Sequence, residues 1–320
     1  MDKYTNKTFM VIVMFLWVVG LFAQIPDTAW TRYYGGNGSD AGYSMTQTTD
    51  SGYVLVGNTN SYGVGSDDVY VIRTDANGDT IWTKAFGGID QEWGNSVTQT
   101  FDGGYVITGF TASFGAGQYD IYLCKIDGQG SLVWDTAYGG TELEWGSAVK
   151  QTADSGYIVV GYTTSLGAGG KDVILIKTDS LGVREWLRTF GGSLDDEADL
   201  VQQTADGGYV IFGNTNSSGA GGTDFYLIKT DASGNLVWDS TYGGVNNEYG
   251  HSVVQSADLG YVMVGETWPT GNPDIYVVKT NTLGETDWTK TYGGEYSEYG
   301  RSVHATFDGG YFLGGTKFFN

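Results

Sequence analysis

Short runs of alternating apolar and polar residues, separated by Gly- and Asp-rich turns, fill the chain from residue 24 onward. Such alternation puts one face of a strand in a core and the other toward solvent. One set reads Ser96-Val97-Thr98-Gln99-Thr100, an Asp102-Gly103-Gly104 turn, and the aromatic-led run Tyr105-Val106-Ile107-Thr108-Gly109. A loop at Gly115-Ala116-Gly117 leads to Asp120-Ile121-Tyr122-Leu123-Cys124-Lys125. The turn Asp127-Gly128-Gln129-Gly130 then feeds a fourth run through Leu132-Val133-Trp134. Glycine accepts the positive φ of such turns, and an Asp side chain bonds the backbone two residues on. No stretch after residue 24 carries a helical period, so the pattern predicts an all-β chain.

The set repeats. Trp30, Trp82, Trp134, Trp186, Trp238 and Trp288 stand 52, 52, 52, 52 and 50 residues apart, each followed by an aromatic-Gly-Gly triplet such as Phe86-Gly87-Gly88. A single four-stranded sheet cannot bury both faces, so copies at this period predict a β-propeller of about six four-stranded antiparallel blades. A parallel β-helix, with coils of about 20–30 residues, lacks this hairpin grammar. Repeats begin near residues 30, 82, 134, 186, 238 and 288, inside a propeller spanning 24–320. The first run, Asp27 to Tyr34, has the fourth-strand pattern, while the last copy shows only Ser302 to Thr306 and Tyr311 to Gly314. The last blade is therefore expected to be incomplete. Either the N-terminal strand joins it and closes the ring imperfectly, or the chain is a piece of a longer parent. The second reading is favoured, because a missing strand leaves two unpaired edges.

The signature x-Gln-Thr-x-Asp-Gly-Gly-Tyr-Val-x-x-Gly, then Asp-Val-Tyr-x-x-Lys-Thr-Asp-x-x-Gly-x-x-x-Trp, is fullest at residues 203–213 and 223–238. It resembles the repeat of secreted bacterial β-propeller proteins. The resemblance implies an extracellular or cell-surface protein of a family mostly without assigned activity, often ending in a sorting or adhesion module. No such module is visible here. The turn Asp75-Ala76-Asn77-Gly78-Asp79-Thr80-Ile81-Trp82 resembles the tryptophan-docking turn of quinoprotein-type propellers, which implies that the Trp plugs the gap between blades. Nothing matches a quinone or calcium site, and no cofactor is predicted. The sialidase Asp-box is a more distant likeness: the turn here is one residue longer before the Trp, and the arginine cluster is missing.

Lys3 and Lys7 precede an apolar run from Phe9 to Phe22, too short for a comfortable membrane span. Residues 1–23 read as a secretory signal peptide, with no membrane insertion expected after cleavage. The remaining chain has 36 acids against 14 bases, a charge of −22, which repels nucleic acid and anionic lipid. Cys124 is the single cysteine and lies in an apolar run, so it reads as a buried small hydrophobe.

Candidate chemistry gathers in the between-blade segments Glu92-Trp93-Gly94, Glu144-Trp145-Gly146, Glu248-Tyr249-Gly250 and Glu298-Tyr299-Gly300. Acids beside aromatics can stack sugar rings and accept hydroxyl hydrogen bonds. The alternative is structural, with each acid capping backbone amides and each aromatic covering a blade edge. Trp268, with Pro269 and Pro273, marks the most distinctive loop, and Lys150 and His304 share a variable channel-facing position. With His251 and His304 the only histidines, neither a histidine metal cluster nor a serine triad is supported, and no metal site is predicted. The expectation is a secreted, monomeric, non-catalytic module that binds a glycan or protein partner. A carbohydrate-active hydrolase or lyase using a carboxylate pair is the alternative, and a spacer within a larger surface protein is a third reading.

Overall fold

The computed structural model describes residues 30–318, so the expected signal segment lies outside the described residues. It contains 22 strands and, among the described residues, no helix. The first sheet holds β1 (Asp40–Gln47), β2 (Tyr53–Thr59), β3 (Asp68–Thr74) and β4 (Thr80–Phe86). The second holds β5 (Glu92–Gln99), β6 (Tyr105–Thr111), β7 (Asp120–Ile126) and β8 (Leu132–Tyr138). The third holds β9 (Glu144–Gln151), β10 (Tyr157–Thr163), β11 (Asp172–Thr178) and β12 (Arg184–Phe190). The fourth holds β13 (Asp196–Gln203), β14 (Tyr209–Thr215), β15 (Asp224–Thr230) and β16 (Leu236–Tyr242). The fifth holds β17 (Asn247–Gln255), β18 (Tyr261–Trp268), β19 (Asp274–Thr280) and β20 (Thr286–Tyr292). The sixth has two strands, β21 (Ser297–Ala305) and β22 (Tyr311–Phe318).

Within each four-stranded sheet the strands follow chain order and pair antiparallel, as tight turns demand. In the second to fifth sheets the two central strands are mostly buried, because a neighbouring sheet covers each face. That is why they read as continuous apolar runs. Val54, Val56, Val69 and Val71 of the first sheet pack on Tyr105, Ile107, Tyr122 and Cys124 of the second, and the same interleaving recurs at each later junction.

First strands of successive sheets lie side by side and form the inner lining. Asn95 Nδ2 donates to the Gly146 carbonyl and Thr98 Oγ1 to the Val149 carbonyl, both at 2.9 Å. The repeated glutamines tie sheets together: Gln99, Gln151 and Gln203 accept from the Thr49, Phe101 and Ala153 amides of the preceding turn. Fourth strands stand outermost with one face exposed.

Two expectations need correction. The segments read as between-blade loops, such as Glu92-Trp93-Gly94, are the first residues of the inner strands, and Trp268 ends β18. A β-bulge after Gly94, repeated in every sheet, inserts one unpaired residue and shifts the alternation by one. The pattern therefore becomes readable only after the bulge, at Ser96. Secondly, residues 30–34 belong to no strand, and among the described residues β22 has β21 as its single sheet neighbour. The start of the expected strand, residues 27–29, lies outside the described residues, and residues 30–34 have no ladder partner among the described ones. Their side chains still sit as in the other copies, with Trp30 edge-on to Tyr53 at 5.9 Å and Tyr34 Oη donating to the Gly78 carbonyl at 2.7 Å.

Candidate functional site

The bulge decides which side chains look inward. Its unpaired residue is Tyr43, Asn95, Ser147, Asp199, His251 or Arg301 in the six successive sheets. No other inner-strand position varies so widely in charge and shape. The residue three before it is the acid of each candidate segment, and the residue two before is the aromatic.

Acids and aromatics part company here. Glu92, Glu144, Glu248 and Glu298 are buried. Glu92 accepts from the Gly88 amide at 2.6 Å and from Thr111 Oγ1 at 2.7 Å, and Glu144 accepts from the Gly140 amide and Thr163 Oγ1, both at 2.7 Å. Glu248 repeats the pattern with Gly244 and Thr267, while Glu298 pairs with Lys317 at 2.7 Å. Glu92, Glu144 and Glu248 thus cap the aromatic-Gly-Gly turns.

The aromatics stay on the open side and join across sheets. Tyr43 stacks on Trp93 at 5.6 Å, and Trp93 meets Trp145 edge-on at 5.9 Å. Trp145 stacks on Tyr162 at 6.2 Å with planes 5° apart, over a floor made by Phe110. A second group holds Tyr249, Trp268 and Tyr299, with Trp268 about equidistant at 6.3 and 6.2 Å. Phe318 extends it at 5.6 Å from Tyr299.

Charged groups connect the two. Lys171 Nζ lies 4.3 Å from the centre of the Tyr162 ring and pairs with Glu197. Burial alone would lower the Lys171 pKa, but the Glu197 carboxylate holds it above the usual lysine range. Asp199 follows. Its side chain is partly accessible yet set deep in the concave lining, and desolvation pushes its pKa up to about 6, with Glu197 adding and His251 opposing. His251 Nε2 lies 2.8 Å from Glu266 Oε2 and 2.6 Å from Arg301 Nη1. One ring nitrogen cannot donate to the carboxylate and accept from the guanidinium at once, so each tautomer serves one of the two. Arg301 also covers the Tyr299 ring at 5.0 Å.

Asp199, Glu266, Arg301, Lys171, Tyr43 and Tyr162 are thus site residues that the sequence reading passed over. Comparing the copies at the bulge position would have found three of them. Glu266 and Tyr162 lie opposite the aromatic position on the second strand, where cross-strand register places them. Lys150 lines the same inner surface, and burial lowers its pKa. Cys124 is wholly buried, and desolvation raises its thiol pKa. Among the described residues, no group of three or more His, Cys, Asp or Glu side chains could hold a metal ion.

No family model matches the chain, and no curated protein matches it. Solved structures do. An α-L-arabinofuranosidase from Fusarium graminearum, crystallised with an iminosugar inhibitor, superimposes with a TM-score of 0.50 at 11% identity, covering 83% of this chain and 84% of that chain. A protein of unknown function from Bacteroides caccae gives 0.48 at 10% identity over 83% and 86% of the two chains. The Neurospora crassa Pan2 WD40 domain gives 0.47 at 10% identity over 87% and 86%. At such identities the likeness speaks to the fold alone, a propeller-like all-β repeat.

Proposed function

We propose that this protein is an exported, non-catalytic binding module whose ligand is a glycan, held on the face bearing the bulge residues. The carrying observation is the arrangement of that face: aromatic rings in sheets one to three, a charged group in sheets four to six, and a second aromatic group around Trp268. Flat rings take the apolar faces of sugars, while Glu197, Asp199 and Arg301 offer acceptors and donors for hydroxyls or carboxylates. The strongly acidic composition favours a ligand other than nucleic acid. A glycan array followed by calorimetry tests the reading. Trp145→Ala should weaken a bound oligosaccharide about tenfold or more, while Glu144→Gln should act through stability instead. A folded protein that retains no glycan on the array would overturn it.

One observation favours a second reading, a glycoside hydrolase. Asp199, with its pKa near 6, stands beside further carboxylates and could protonate a leaving group. Hydrolysis of the captured glycan, abolished by Asp199→Asn, would establish this reading over the first.

A further inference from the structure

Beside the aromatic run, the charged groups of the third to sixth sheets fall into pairs and leave one carboxylate over. Lys171 is joined to Glu197 across the junction of the third and fourth sheets. Arg301 lies 3.8 Å from Glu266, and His251 lies 2.8 Å from the same carboxylate. Asp199, the bulge residue of β13, takes no hydrogen bond and no ion pair among the described residues. The second sheet shows what this position asks for. Asn95, the bulge residue of β5, sends its amide donor to the Gly146 carbonyl of the next sheet. An ionised Asp199 has only acceptors and cannot make that bond, so burial makes its charge costly. Glu197 adds to that cost and His251 opposes it. Lys150 stands further along the same lining, three residues past Ser147, and burial is what acts on it.

The kind of group that Asp199 lacks is already seated next to it. Lys171 Nζ rests 4.3 Å from the centre of the Tyr162 ring while it pairs with Glu197, two residues before Asp199. Ring face and carboxylate together are how an ammonium group is recognised. Tyr162 stacks on Trp145, and the rings continue through Trp93 to Tyr43, which is 47% exposed. β13 lies beside β9, the strand that carries Trp145. A sugar lying on Trp145 therefore has the carboxylates of the fourth sheet as neighbours.

Given the glycan reading, on which this rests, we infer that the sugar bound on this face is an amino sugar whose free ammonium group pairs with Asp199. Such an amine is cationic at mildly acidic pH and supplies the donors that the carboxylate lacks. An N-acetyl group carries no charge and leaves Asp199 without a counter-ion. A uronate sets a second anion beside it, which is worse. The excess of acids over bases in the chain also draws cations toward a concave face.

Calorimetry on the full chain at pH 6 compares three probes: a glucosamine trisaccharide with free amines, its N-acetylated counterpart, and trilysine. The free-amine sugar should bind about tenfold or more tightly than the acetylated one, and trilysine weakly. Asp199→Asn should remove the preference and leave the affinity for the acetylated sugar unchanged, which also shows that the variant is folded. The preference should fade between pH 6 and pH 4, as Asp199 takes up a proton. Equal binding of the two sugars would overturn the inference and leave the glycan reading standing. So would a preference that survives Asp199→Asn, because it would then be general attraction to an acidic surface. Trilysine binding as tightly as the amino sugar, and lost in Asp199→Asn, would make the occupant a polypeptide and overturn it too. A folded protein that binds neither sugar removes the glycan reading and this inference with it.

Discussion

The indole of Trp82 packs against Gly130 of the next sheet's turn, and its Nε1 donates to the Gly128 carbonyl at 3.3 Å. Gly130 has φ of +79°, and a Cβ there would stand 3.1 Å from the ring. The spacing of the tryptophans is therefore the spacing of inter-sheet plugs, one strand past each sheet it seals.

Gly130→Ala should lower the unfolding free energy by about 1–3 kcal/mol, since it adds left-handed strain and displaces the indole. Urea unfolding measures it. In the same assay Trp134→Ala should cost about 2–4 kcal/mol and Trp288→Ala less than about 1, because no glycine turn packs on Trp288 among the described residues. Equal costs for the two would refute the plug role.

Each junction also buries two carboxylates against one glycine. Asp224 Oδ1 and Glu248 Oε2 both crowd Gly243, and Asp224 Oδ1 has no hydrogen-bond partner. Desolvation and Glu248 raise the Asp224 pKa although two loop amides oppose this. A raised carboxyl pKa favours folding below the unfolded value near 4, and that contribution is lost as pH rises. Asp224→Asn should supply the missing donor to Glu248. It should stabilise the protein by about 1–2 kcal/mol at pH 8 and by nothing near pH 4. Thermal melts at the two pH values decide this.

The turn clamps have the opposite sign. Burial by itself would raise Asp102, Asp154 and their neighbours, but turn hydroxyls, amides and lysines hold Asp102, Asp154 and Asp206 down to about 2. Depressed carboxyls favour folding above the unfolded value and lose that contribution as pH falls toward 2. Acid titration followed by circular dichroism should show cooperative loss over that window. Lys177→Met should move the midpoint to higher pH.

Asp199 provides a pH signature for the inner face. Its pKa of about 6 means that its contribution fades as pH rises through 6. Between pH 4 and pH 7.5 the wild type should lose about 2 kcal/mol relative to Asp199→Asn. Parallel stability curves for the two proteins would show that the carboxyl is not desolvated.

The four-strand unit, turn positions and the tryptophan rhythm were legible along the chain because they arise from local alternation and from Gly and Asp turn chemistry, each within a few residues. The same repetition marked the glutamines and third-strand aspartates as construction, and they do bond backbone within and between sheets. The direction of Glu92 and Trp93 was not legible. A bulge shifts the alternation by one residue, and nothing in the local pattern shows where the extra residue goes. The meeting of Lys171, Asp199, His251, Glu266 and Arg301 was also beyond it, because they come from four sheets and up to 130 residues of chain. The sequence by itself determined what each sheet is made of. Only the side-by-side packing of the inner strands decided which variable residues share one surface.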